Sequence, residues 1–288
     1  MRIAVAQYHL DSLPNWEAYQ TKIQAWVKDA VEQQAQLLVF SEYGTLELFS
    51  LPDFNTSTDL VQRLVILQKY FAPLVQFYQQ LAQDYQVYIL APSLPVQLPN
   101  QGYHNRAYLF FPEGSLDFQD KLILTPSENE TGIIGGSAIK IFDTAVGKLA
   151  ITICYDSEFP LLVRQAVEMG ATLILVPSCT HSLAGYYRVR TGCQARALEN
   201  QCYVVQAPTL GVMVWHELEE CIGAAGIYTP IDQGFPSDGL LQKGPLNISQ
   251  WIYATLALEE LAVVRQAGQV RNYSDWNKQY LLSSLPLP

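Results

Sequence analysis

Apolar and polar positions in the N-terminal third switch between two periods, which predicts strand-helix-strand units. Arg2 to Gln7 is a short β-leaning run. Trp16, Tyr19, Ile23, Trp26, Val27 and Ala30 then recur at three- and four-residue spacing, as one buried face of a helix requires. Leu37 to Phe40 reads as a buried strand, Asp59 to Gln83 as a helix and Val87 to Ala91 as β-rich. Tyr103 to Phe111 and Ser115 to Leu122 form a hairpin pattern turning at Pro112-Glu113-Gly114, and the stretch after it reads as loop. Ile139 to Phe142 and Lys148 to Cys154 flank a turn at Gly147. The next helix opens near Asp156, Ser157 and Pro160 and stops at Gly170.

Ala171 to Val176 is apolar throughout, which implies a parallel strand covered on both faces. A helix over Leu183 to Asn200, a strand over Cys202 to Ala207 and a β-like Gly223 to Tyr228 continue the series. After a Gly- and Pro-rich stretch from Thr229 to Asn247, Trp251 to Leu256 reads as a strand and Leu258 to Ala267 as a helix. No repeat or linker interrupts the pattern. One α/β domain over residues 1–267 is expected, with a C-terminal extension over 268–288. That extension carries Tyr273, Trp276 and Tyr280, too much aromatic surface for a free end, and is expected at a subunit boundary.

The 288 residues carry 17 Lys plus Arg against 27 Asp plus Glu, a formal charge of −10, and no basic cluster. Nucleic acid and anionic membrane are thereby poor partners, and a small-molecule substrate remains. No apolar run is long enough for a signal core or a membrane span, so a cytoplasmic chain is expected. Five cysteines, Cys154, Cys179, Cys193, Cys202 and Cys221, are odd in number and lack metal-ligand spacing. Neither a disulfide framework nor a metal site is expected.

Cys154 lies at the carboxyl end of an apolar strand just before a helix start, where backbone N–H groups and the dipole favour a thiolate. A free cysteine is otherwise a small core residue. Of the possible bases His9, His104, His181 and His216, none sits in a recognisable local pattern; His181 follows an apolar strand end. Glu42 follows the strand Leu37 to Phe40, where apolar neighbours would raise its pKa toward the range of a general base. Lys121 precedes an apolar run and would stabilise an oxyanion if held in the site. The backbone N–H of Tyr155, at the turn after the cysteine, is a second candidate oxyanion donor.

Taken in order, Ser41-Glu42-Tyr43, Asp120-Lys121, Ser127-Glu128-Asn129-Glu130 and Ile153-Cys154-Tyr155-Asp156 closely resemble the nitrilase, or carbon-nitrogen hydrolase, superfamily. The resemblance runs from Met1 to about Arg271 and includes Asn105-Arg106-Ala107, Gly135-Gly136, Val176-Pro177-Ser178 and Ala195 to Asn200. It implies a four-layer α-β-β-α sandwich, usually dimerised, with no cofactor. It also implies Cys154 as nucleophile, Glu42 as general base and Lys121 as oxyanion cation, working through a thioester. A further carboxylate between lysine and cysteine falls to Glu128, seven residues before Gly135, or to Glu130, five before it. The stretch after Val176, including Ser178 and Cys179, matches the acyl-pocket wall, although Cys179 also suits plain packing; Tyr43 counts as a substrate contact beside Glu42.

Tyr155-Asp156 after the cysteine resembles the amidase-like branches, which implies hydrolysis of a small amide. Nitrile or carbamoyl-amide hydrolysis with the same residues is the alternative, and a binding-only fold is a third. Those branches often carry Arg and Glu where this chain has Glu158 and Leu161. If Glu158 faces the pocket it would disfavour an anionic substrate tail and favour a neutral or cationic amide.

Overall fold

The computed structural model describes residues 1–56, 59–99, 102–214 and 218–282. Its first half runs β1 (Arg2–Leu10), α1 (Trp16–Glu32), β2 (Leu37–Val39), α2 (Leu60–Tyr85), β3 (Tyr88–Leu90), β4 (Leu94–Gln97), β5 (Tyr103–Phe110) and β6 (Leu116–Asp120). A short helix, α3 (Pro126–Glu130), leads to β7 (Phe142–Thr144), β8 (Gly147–Ile151), α4 (Pro160–Glu168), β9 (Leu173–Ser178) and α5 (Leu183–Asn200). The chain continues as β10 (Tyr203–Val214), β11 (Leu218–Cys221), β12 (Gly226–Tyr228), β13 (Leu240–Lys243) and β14 (Gln250–Thr255). It closes with α6 (Leu258–Ala267), α7 (Asn272–Asp275) and α8 (Lys278–Leu282).

Strand periodicity divides the core in two. On β1, Ala4, Ala6 and Tyr8 pack with Tyr19, Ile23 and Val27 of α1 and Leu64 and Leu67 of α2. Ile3 and Val5, on the opposite face, pack with Leu149, Ile151 and Leu175 of the second sheet. That sheet is covered in turn by Val163 and Val167 of α4 and by Val189 and Cys193 of α5. The layers are therefore helix, sheet, sheet, helix, as the resemblance implies. In the first sheet β14, β1, β2 and β3 lie side by side, with β1, β2 and β3 mutually parallel. In the second, β8, β9 and β10 are parallel, so β9, apolar from Leu173 to Val176, is central, as its composition predicts.

The two sheets meet where the ends of β1 and β10 pair, Tyr8 to Leu10 against Thr209 to Gly211. Gly211 makes this approach possible: its φ is 87°, and a Cβ there would stand 2.8 Å from the Leu10 carbonyl. This junction brings the carboxyl ends of strands from both sheets to one place.

The structure adds elements that the periodicity does not reveal. The stretch after the hairpin contains α3, and β4, β11 and β13 are short strands in Pro-, Glu- or Gly-rich segments. The helix expected from Asp156 is two pieces, a 3-10 turn over Cys154–Glu158 and α4 starting at Pro160. The extension 268–288, described to residue 282, folds back on its own chain. Arg164 Nη1 donates to the Tyr273 carbonyl at 3.1 Å, and its guanidinium lies 5.0 Å from the Tyr273 ring and 4.9 Å from the Trp276 ring. No described helix is long and apolar enough to cross a membrane.

Candidate active site

Chain segments remote in sequence surround a cavity of about 290 Å³ lined by Glu42, Tyr43, Lys121, Glu128, Cys154, Tyr155 and Cys179, among others. Glu42 stands just beyond β2. Its loop is clamped by the Ser93 N–H, which donates to the Ser41 carbonyl at 3.1 Å, and by the Tyr43 N–H, which donates to Ser93 Oγ at 2.9 Å. Thr209 Oγ1, from the junction of the two sheets, donates to the Glu42 carbonyl. Tyr43 takes a left-handed φ of 55°. In a residue other than glycine this is a strained conformation, held by the packing around it.

Cys154 shows the same feature on the opposite wall. Its φ is 50°, at a strand-turn-helix transition of the kind that exposes the nucleophile in α/β-hydrolases. Asp156 fixes this turn. Its buried carboxylate accepts from the Ile153 N–H at 3.0 Å and from the N–H groups of Leu122 and Ile123, at 3.1 Å and 2.7 Å to Oδ1. One side chain thus ties the cysteine turn to the segment that follows Lys121. On the far side, Gly192 of α5 lets the turn come close: a Cβ there would stand 3.1 Å from the Ser157 carbonyl, which also accepts from Arg196.

Lys121, 2% exposed, is held by its backbone, whose N–H donates to the Asn105 carbonyl at 2.9 Å and whose carbonyl accepts from Gly136 at 2.7 Å. Its Nζ lies 2.8 Å from Glu42 Oε1 and 2.7 Å from Glu128 Oε2. Asn105 Nδ2 bridges the same two carboxylates, at 2.9 Å and 3.2 Å, while its Oδ1 accepts from Ser93 Oγ. A buried cation shared between two buried carboxylates is the arrangement that keeps all three charges tolerable in low dielectric.

The electrostatics follow from burial. Removal from water raises the Glu42 carboxyl above its ordinary value; Lys121 opposes the shift and Glu128 adds to it. The Cys154 thiol is pushed well up, first by burial and then by the Glu42 charge, with Lys121 opposing. The free site therefore pairs a neutral thiol with a carboxylate able to take its proton, rather than the dipole-stabilised thiolate that the strand end alone suggests. Glu128 is held below the usual carboxylate range because Lys121, Tyr43 and the Thr125 N–H outweigh its burial.

Of the two further glutamates, Glu128 is the one in the cavity. Thr125 caps α3 and Glu128 reaches back to the Thr125 N–H, a capping box that aims its carboxylate at Lys121. Glu130, two residues on, is exposed and outside the cavity. Tyr155 and Cys179 line the wall, and Cys154 Sγ lies 3.6 Å from the Cys179 carbonyl. Ser178 does not line it: the residue is buried, with its hydroxyl donating to the Ala207 carbonyl, because strand alternation turns it away from Cys179. Tyr43 does line it, but its hydroxyl is bonded to Glu128 at 2.6 Å, so it orients the carboxylate.

Among the histidines, His181 reaches the cavity rim, His9 pairs with Asp11 on the surface, His104 is buried near Asp120, and His216 lies outside the described residues. Glu158 does face the cavity, yet Arg188 also lines it, with Nε 3.8 Å from Glu158 Oε1. The outer cavity thus presents both signs of charge, not the single negative charge the sequence suggests. Asn105 and Asp156, which position the reactive groups, are absent from the sequence-derived set, as is the ordered Thr125-x-x-Glu128 signature that marks α3.

The sequence profile described as "Carbon-nitrogen hydrolase" matches residues 2–234. The chain is 36% identical over 277 residues to the "Probable hydrolase YhcX" of Bacillus subtilis, covering 96% of this chain and 53% of that protein. It is 31% identical over 150 residues to a deaminated glutathione amidase of Dictyostelium discoideum, covering 52% and 49%. The chain therefore spans about half the length of these relatives. Among solved structures, a Saccharomyces cerevisiae member of branch 10 of the nitrilase superfamily aligns with a TM-score of 0.74 at 23% identity, covering 93% of each chain. An amidase from Nesterenkonia sp. aligns with a TM-score of 0.71 at 21% identity, covering 96% of each. At these identities the likeness speaks for the fold.

Proposed function

The chain belongs to the carbon-nitrogen hydrolase family of the nitrilase superfamily, and from that premise we propose that it hydrolyses a small amide to a carboxylate and ammonia through a thioester on Cys154. The observation that carries this reading is the convergence of Cys154, Glu42 and Lys121 on one cavity, with the ammonium locked between Glu42 and Glu128.

Glu42 takes the thiol proton as sulfur attacks the amide carbon. The carbonyl oxygen becomes an oxyanion facing the Tyr155 N–H and the Lys121 ammonium, which its two carboxylate partners hold in place before the charge develops. As the tetrahedral species collapses, Glu42 returns the proton to the nitrogen and ammonia leaves. The acyl group stays on sulfur as a thioester. Water then adds, giving its proton to Glu42, and the second collapse releases the carboxylic acid and restores the thiol. Glu128 and Asn105 take no proton in this scheme; they hold Lys121 and Glu42 in register. Amides are favoured over nitriles on the Tyr155-Asp156 pair, and relatives named deaminated glutathione amidase and omega-amidase act in the same direction.

Because Arg188 offsets Glu158, the outer cavity suits a neutral amide over one with a charged tail of either sign. The test is ammonia release from matched neutral, cationic and anionic amides, ureas and nitriles, with Cys154→Ala as blank. Turnover of amides that vanishes in the variant is expected. Release unaffected by Cys154→Ala would overturn the mechanism, and equal rates across the three charge types would overturn the selectivity.

A further inference from the structure

Cys179, His181 and Cys221 offer ligand atoms that all lie within 4.8 Å of one another. Their sequence spacing conceals this, because β11 folds back antiparallel on β10, with Cys221 opposite Gly211. The segment after β9 is then stitched to the one after β11: the Ile222 N–H donates to the Thr180 carbonyl, and Thr180 Oγ1 to the Ile222 carbonyl, both at 2.7 Å. Cys179 Sγ and Cys221 Sγ end 3.6 Å apart. The His181 ring turns one nitrogen toward each sulfur, Nε2 4.0 Å from Cys179 and Nδ1 3.9 Å from Cys221.

We propose that these three residues form a binding site for a thiophilic divalent cation, of which Zn²⁺ is the type, on the wall of the catalytic cavity. Two sulfurs about 3.6–3.8 Å apart are what a tetrahedral ion with metal–sulfur bonds near 2.3 Å requires. Two thiolates neutralise the ion's charge, and the two thiol protons leave to solvent on binding. Glu219 Oε2, 3.4 Å from His181 Nε2, is placed to accept that nitrogen's proton and present Nδ1 as the ligand, the usual carboxylate support for a metal-bound imidazole. Three protein ligands leave a fourth position open. Because Cys179, His181 and Glu219 all line the cavity, and the Cys179 carbonyl faces the Cys154 sulfur, an ion held there narrows the acyl pocket and inhibits turnover.

The full chain, reduced and stripped of metal with a chelator, is titrated anaerobically with Co²⁺ and then with Zn²⁺ against a chromophoric chelator. One equivalent is expected, with thiolate-to-cobalt charge transfer and the intense visible bands of a tetrahedral ion, displaced by Zn²⁺. Cys221→Ser and His181→Ala should each weaken binding by about 100-fold, the scale of losing a ligand or its support. Cys154→Ser should keep the full signal. His181 is exposed at the rim, so its variant guards against a Cys221→Ser chain that fails to fold. Absence of charge transfer, its loss in Cys154→Ser, or unchanged affinity in His181→Ala would each overturn the site. Binding is read without turnover, so this result is separable from the fate of the amidase reading.

Discussion

The hydroxyl of Tyr43 donates to Glu128 Oε1 at 2.6 Å, tying the residue beside the proposed base to a carboxylate 85 positions away. Tyr43→Phe removes that donor and leaves Glu128 with Lys121, Asn105 and the Thr125 backbone. A loss of about 1–2 kcal/mol in stability and about tenfold in kcat/KM is expected, measured by urea unfolding and steady-state ammonia release.

The two acids of α3 separate on activity. Glu128→Gln weakens the hold on Lys121 and should lower kcat/KM by about 100-fold, the scale of a displaced oxyanion donor. Glu130→Gln, on the exposed side of the helix, should stay within about twofold. A parallel kinetic assay of both variants decides; comparable losses in the two would remove Glu128 from its positioning role.

Lys121→Met leaves Glu42 and Glu128 bridged by the Asn105 amide with no cation between them. At neutral pH this should destabilise the fold by about 3–5 kcal/mol and abolish turnover. Each carboxyl then gains a raised pKa, so protonation relieves the repulsion and the penalty shrinks as pH falls. Denaturant midpoints of variant and wild type at pH 7 and pH 5 test the sign; a penalty that grows on acidification would contradict it.

In the proposed mechanism Glu42 must be ionised to accept the thiol proton, and its pKa lies above the ordinary 4.5 because of burial. As pH falls through that raised value the base is lost, so the acid limb of kcat/KM should lie above pH 4.5. The thiol does not limit the alkaline side near neutrality, since burial holds it protonated well above its ordinary value. A pH–kcat/KM profile with its acid limb at or below 4.5 would remove Glu42 as the titrating group.

Burial pushes Asp156 up to about 6, against its ordinary 3.8, with the three backbone donors and Lys121 opposing. A carboxyl with a raised folded-state pKa contributes stability that is full below about pH 4 and is lost as pH rises through 6. The stability of wild type relative to Asp156→Asn should therefore fall by about 3 kcal/mol between pH 4 and pH 7. Urea unfolding of both proteins across that range is the measurement, and a difference that stays flat or rises would refute it.

Much of the fold is legible in the sequence because its signals are local. The period of Tyr19, Ile23, Val27 and Ala30 and the fully apolar Leu173 to Val176 are the buried faces of α1 and β9. α5 and α6 run over the ranges that their patterns predict. The strand-end positions of Glu42 and Cys154 are likewise local facts. The split of the Cys154 helix is less so, since a 3-10 turn and an α-helix share the same short-range signals until Pro160 fixes a new start.

Sequence alone determined the alternation of strands and helices and the strand-end positions of Glu42 and Cys154, because hydrophobic period and turn chemistry act over a few residues; the four layers and the grouping of Glu42, Lys121 and Cys154 came from the family resemblance. Only the tertiary structure decided which of Glu128 and Glu130 meets Lys121, that Ser178 turns away while Cys179 faces in, that Arg188 offsets Glu158, and that Cys179, His181 and Cys221 share one corner. The capping box and strand alternation aim Glu128 and Ser178 locally, but which groups they meet depends on where the carboxyl ends of two sheets come together at the Tyr8–Thr209 pairing. Contacts across that junction join residues tens to hundreds of positions apart, a distance over which no local pattern carries information.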